Sequence, residues 1–183
     1  MSPDSATEAR LVERVRALEH LFEHIRRERM QGVPLLHPAL RVQALGFQLA
    51  PQAGWHDDEA APAAHGVLIT PWCMNLLSFP LQRVTHPRRG SAKFVQNLGA
   101  RGFEFLPGHD AHFGAFASCT LFSPMQDFST QDEALGTARE VLRQLRDAVA
   151  AAPEAAPTPS TSPRPHTSTR RGLLFGRGAP GTP

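Results

Sequence analysis

Apolar residues recur near the start of the chain at Leu11, Val15, Leu18, Phe22 and Ile25, with spacings of four, three, four and three. One stripe on a helix has that period, so a helix is predicted to run to about Met30, where Gly32 and Pro34 stop it. A second stripe, Leu135, Ala138, Leu142, Leu145 and Val149, repeats the pattern. It follows Thr130-x-x-Glu133, a capping box that can satisfy the free amides of a first helical turn. Between residues 40 and 123 the period shortens, and β-prone runs alternate with turn signals: RVQALGFQLA, HGVLITP, GFEFLPG and FGAFASCTLFSP. These predict a small, mostly antiparallel sheet. PQAGWHDDEAAPAAH, rich in Pro, Gly, Ala and Asp, reads as a long hairpin loop between the first two runs. TPWCMNLLSFP is apolar nearly throughout, which fits either a buried short helical turn or an exposed contact surface. Two amphipathic helices bracketing a sheet predict an α+β domain of two layers, the sheet packed against N- and C-terminal helices.

The pattern stops after residue 150. Residues 151 to 169 contain no Leu, Ile, Val or Phe, so they cannot bury enough apolar surface to offset the entropy of ordering them. The expected organisation is therefore a domain over 1–150, then a flexible Pro/Ser/Thr linker and basic-apolar tail over 151–183. The chain of 183 residues is 41% hydrophobic and 20% charged, ordinary for a globular protein. No apolar run approaches the roughly 20 residues of a membrane helix, so no membrane insertion is expected. The N-terminus lacks the basic-then-apolar pattern of a secretory signal, which points to the cytoplasm. Two cysteines, Cys73 and Cys119, are too few to staple a scaffold and fit a reducing compartment.

Net charge is +2, yet Arg164, Arg170, Arg171 and Arg177 stand in the tail against Glu154 alone, leaving the core close to neutral. That argues against a nucleic-acid partner, which needs a basic face. The best stretch for one is RVTHPRRGSAK, with Arg83, Arg88, Arg89 and Lys93. A hydrolase reading rests on HLFEH, where His20, Glu23 and His24 match the H-x-x-E-H zinc-peptidase signature. At 100° per residue, however, His20 lies nearly opposite the apolar stripe and His24 well off it, so both are expected to face water. GHDAHFG, with His109, Asp110 and His112, reads as turn polarity between strands. Cys119 sits in an apolar strand-like run, where burial would raise its pKa and leave it inert. No GxSxG, P-loop or GxGxxG occurs. This shortage of catalytic groups predicts a binding protein, not an enzyme, with no metal and no cofactor.

LHPAL at 36–40, GVLITPWCMNLLSFP at 66–80, FEFLPG at 103–108, SCTLFSPM at 118–125 and the terminal RRGLLFGR together resemble the HybE/HupJ-type assembly chaperones of nickel-iron hydrogenases. The resemblance implies a cytoplasmic accessory protein that binds hydrogenase precursor subunits, the small subunit with its twin-arginine signal, the large subunit, or both, alongside other maturation factors. Some members carry a rubredoxin iron site built on paired CxxC motifs; this chain has none, so that role is not carried over. The matching positions, Pro71, Trp72, Cys119, Leu121, Ser123, Pro124, Arg170, Arg171, Leu173, Leu174, Phe175, Gly176 and Arg177, become candidate partner contacts. Trp72 and Met74 are expected on an exposed apolar surface. STRRGLL, Ser168 to Leu174, is similar to a twin-arginine export consensus placed at the wrong end of the chain, and is expected to mimic such a signal by occupying the protein's own signal-binding groove until displaced; the alternatives are a tail that grips the partner and one that completes the fold.

Overall fold

The computed structural model describes residues 3–50, 62–85, 93–98 and 101–150. Helix α1 spans Pro3–Glu28, longer than its apolar stripe: Pro3 and Asp4 suit a helix N-terminus, and Ala6, Glu8, Ala9 and Arg10 continue it on a solvated face. It ends in a turn containing Gly32. Strands β1 (Gln43–Ala50), β2 (Ala63–Ile69), β3 (Met74–Pro80), β4 (Phe94–Leu98), β5 (Arg101–Asp110) and β6 (Gly114–Phe122) follow, then α2 (Gln131–Ala150). The sheet order is β1-β2-β3-β6-β5-β4, and each neighbouring pair is antiparallel. The α+β class predicted from the apolar pattern is the class observed.

The layering differs from expectation. Along β2 and β3, alternate residues enter two separate cores. Val67, Ile69, Met74 and Leu76 pack with Ala134, Leu135 and Ala138 of α2. Leu68, Leu77 and Phe79 pack with Leu18 and Phe22 of α1. Successive strand side chains point to opposite faces, so the helices cover opposite faces and the domain has three layers, not two. This also explains TPWCMNLLSFP. It is neither a helical turn nor an exposed surface but contains β3, a central strand buried at every position, as β2 is. A strand covered on both faces has no polar side, so its sequence shows no alternation.

Thr70 closes the β2–β3 turn. Its N–H and hydroxyl both donate to the Cys73 carbonyl, at 2.9 and 2.8 Å, and its hydroxyl oxygen accepts from Cys73 N at 3.0 Å. On β1 a bulge lies between Leu45 and Gln48, where Gly46 has φ +63° and a Cβ would sit 2.5 Å from Leu142 of α2. Only glycine admits both that backbone and that helix. The expected hairpin over 51–65 is shorter than predicted, since residues 63–65 already belong to β2; residues 51–61 lie outside the described chain.

Candidate functional site

Helix α1 lays Leu18 and Phe22 onto the sheet and leaves a groove between its outer flank and the β5–β6 turn. The groove has a volume of about 680 Å³. From α1 it receives Leu21 and Ile25 with His20, His24 and Arg29; from the turn, Asp110, His112 and Phe113. The turn wall is held firmly. Asp110 Oδ1 accepts the backbone N–H groups of His112 and Phe113 at 2.8 and 2.9 Å. Burial works to raise its pKa, but those two amides and the charges of His112 and Arg29 prevail and hold it below the usual carboxylate value.

Two arginines brace the same turn from behind. Arg14 of α1 is 8% exposed, donates Nη1 to the Phe113 carbonyl at 2.8 Å, and sets its guanidinium 3.9 Å from the Phe113 ring centroid. Its Nε and Nη2 are buried without a hydrogen-bond partner. Burial first, then the nearby charge of Arg83, against a smaller opposing pull from Glu13, lowers its pKa to about 10. Arg83 donates to the Ala111 carbonyl. Periodicity alone did not predict a buried arginine on the apolar face of α1; its proximity to Leu11 and Leu18 at helical spacing was the available signal.

Two motifs that looked unrelated in sequence thus share one groove. His20 and His24 are exposed as expected, and both line it, opposite Asp110 and His112. They do not form a peptidase site. Glu23 is turned away and held by Arg26 at 2.7 and 2.9 Å and by Arg27 at 3.0 Å, and the Arg26 hydrogen bond is the main cause of its lowered pKa. His109 also faces elsewhere, donating Nε2 to the Thr85 carbonyl at 2.8 Å. Among the described residues no group of three or more His, Cys, Asp or Glu is arranged to hold a metal. The basic stretch is partly committed too: Lys93 pairs with Glu104 at 2.7 Å, while Arg88 and Arg89 lie outside the described residues.

The candidate contacts divide between the two faces. Trp72 is half-buried on the α1 side, stacked on Phe22 with centroids 6.5 Å apart. Phe22 meets Phe116 edge-on at 6.0 Å, and Phe116 meets Phe113 likewise at 6.0 Å, so a chain of rings runs from Trp72 to the groove floor. Pro71 is buried, its carbonyl accepting from His37 N at 2.8 Å. Met74, expected at the surface, is 0% exposed, because β3 alternation drives it into the α2-side core. Cys119 and Leu121 are half-buried against that same core, away from Trp72; burial, then the Glu104 charge, raises the Cys119 thiol pKa. Ser123 and Pro124 are exposed beyond β6. Arg170, Arg171, Leu173, Leu174, Phe175, Gly176 and Arg177, and with them the twin-arginine mimicry, lie outside the described residues.

Residues 13–176 match the family model described as "[NiFe]-hydrogenase assembly, chaperone, HybE". The chain belongs to this HybE family. Protein HoxT of Cupriavidus necator is 42% identical over 175 residues, covering 91% of this chain and 90% of that protein. The hydrogenase expression/formation protein HoxT of Azotobacter vinelandii is 42% identical over 129 residues, covering 70% of this chain and 75% of its own. The solution structure of HybE from Escherichia coli is similar at a TM-score of 0.49 and 23% identity, covering 91% of each chain. No helix among the described residues is long and apolar enough to cross a membrane.

Proposed function

We propose that this HybE-family protein is a non-enzymatic accessory chaperone that acts in the cytoplasm on nickel-iron hydrogenase precursors. It binds the small-subunit precursor with its twin-arginine signal, the large-subunit precursor, or both, before export. The observation that carries the reading is the family match across residues 13–176. It is supported by the half-buried Trp72, whose ring stacks on Phe22 and stays partly accessible on the α1 side, as an aromatic contact residue requires. Ser123 and Pro124 beyond β6, and Arg170, Arg171, Leu173, Leu174, Phe175, Gly176 and Arg177 in the tail, are further proposed contacts. Tagged protein isolated from cells making hydrogenase is expected to carry precursor subunits with it; general chaperones or ribosomes alone would overturn the reading. Trp72→Ala should reduce that capture several-fold with the circular dichroism spectrum retained. Met74→Ala should instead destabilise the fold by about 2–5 kcal/mol, as a fully buried core truncation does.

A further inference from the structure

β1 and β4 are the two ends of the sheet order, yet both line one cavity on the α2 side. His65 of β2 reaches Gln96 of β4 there, Nε2 to Nε2 at 3.4 Å. The sheet therefore curls round α2 until its terminal strands approach each other, and the cavity, about 110 Å³ in volume, lies inside the curl. The interior of a rolled sheet, near its mouth, is a recurrent place for small ligands.

Depth sorts the lining. Leu76, 1% exposed, and His65, 8% exposed, lie deepest. Leu98, Leu142 and Leu145 are half-buried along the walls, while Gln48 and Arg146 stand exposed at the mouth. Water screens a charge in that position, so Arg146 does not choose the occupant. His65 does. The Gln96 amide nitrogen can only donate, so His65 Nε2 accepts, and the one proton of the neutral ring sits on Nδ1. Burial keeps that ring neutral by lowering its pKa to about 4. Nδ1 is itself buried and has no hydrogen-bond partner. Buried donors are normally paired, and this one belongs to a side chain lining a cavity otherwise walled by leucine. The combination calls for an apolar body to cover the leucines and one oxygen to accept from Nδ1. Volume sets the size. An apolar cavity of about 150 Å³ holds benzene, so a cavity of about 110 Å³ that is open at one end takes a single ring or a branched chain of equal bulk.

We propose that this cavity binds a small, uncharged, largely apolar molecule of single-ring size that carries one oxygen acceptor. The oxygen accepts from His65 Nδ1, and the carbon skeleton packs on Leu76, Leu98, Leu142 and Leu145. The site lies across the sheet from Trp72 and α1, so it goes beyond the chaperone reading and does not depend on it.

The test uses the full chain and three fluorinated probes of nearly equal size followed by fluorine NMR: para-fluorophenol, para-fluorotoluene and para-fluorobenzoate. The phenol should bind saturably and at least fivefold tighter than the toluene, which offers no oxygen, and than the benzoate, whose charge the leucines exclude. Nitrogen NMR should find the His65 proton on Nδ1 and show that resonance moving as the phenol is added. His65→Phe keeps a ring of similar size without the donor, and should bring the phenol and the toluene within twofold of each other. Leu145→Trp, at a half-buried position on α2, fills the cavity from the helix side and should abolish binding of both with the circular dichroism spectrum retained. Equal or tighter binding of the toluene would overturn the proposal, because the donor would then select nothing. Tighter binding of the benzoate would overturn it in favour of an anion held at Arg146. Binding that survives Leu145→Trp would place the probes elsewhere. Failure of all three probes would also sink it, leaving ordered water as the only partner of Nδ1.

Discussion

His65 on β2 faces the α2 side of the sheet, buried, with Nδ1 lacking a partner and Nε2 3.4 Å from Gln96 Nε2. Burial pushes its pKa from 6.5 down to about 4. The unfolded chain therefore takes up this proton at a higher pH than the folded one. Stability linked to His65 is complete above pH 6.5 and is lost as the pH falls through 4, by about 3 kcal/mol in all. Chemical denaturation between pH 7 and 4 should show this slope, and His65→Gln should flatten it; a parallel slope in the variant would assign the loss elsewhere. Sequence reading passed over His65, as it did Arg14, because neither residue type announces burial. Each is buried because a neighbouring element covers it: α2 and β4 around His65, the β5–β6 turn over Arg14.

Elements were legible where the pattern had one polar side. The second apolar stripe became α2, and its predicted capping box is formed: Thr130 Oγ1 accepts Glu133 N at 3.2 Å, while the Glu133 carboxylate accepts from Ser129 N at 2.7 Å. The return bond reaches Ser129 rather than Thr130, one residue earlier than the sequence motif implies. Thr130→Ala should cost about 1 kcal/mol and lower the melting temperature by roughly 2–4 °C, measurable by calorimetry; no shift would show the cap to be dispensable. β3 was not legible as a strand, because both of its faces are apolar, and a continuous apolar run has no period to read. β4 was missed for another reason: its five residues alternate only weakly in apolar character and follow a basic stretch of sequence. Pairing with β5 from Phe94↔Phe105 to Leu98↔Arg101 is what makes it a strand.

At the scale of the whole molecule, the described residues of both hydrophobic cores lie between Leu11 and Leu145. We propose residues 1–150 as the folding unit. A chain ending at Ala150 should melt within about 2 °C of the full-length protein, and limited proteolysis of the latter should cut first between residues 151 and 169. A melting temperature many degrees lower, or early cuts inside 1–150, would place part of the tail in the fold.

Some of this molecule follows from order along the chain alone. Among the described residues, the two helices, four of the six strands, the α+β class and the kinship carried by GVLITPWCMNLLSFP and SCTLFSPM all rest on periodicities and motifs within single short stretches of chain. Which face of the sheet each helix covers depends on burial shared between segments distant in sequence, Leu18 in one core with Leu68 and Ala134 in the other with Val67, and no local period encodes this. The groove has the same origin. HLFEH and GHDAHFG lie some ninety residues apart, and each alone reads as a solvated face or a polar turn. Tertiary structure sets them on opposite walls, because the α1 stripe covers the face of the sheet where Phe113 of the β5–β6 turn enters the same core. Physically, local sequence fixes the backbone geometry of an element, whereas its neighbours are chosen by the burial of side chains across the whole fold.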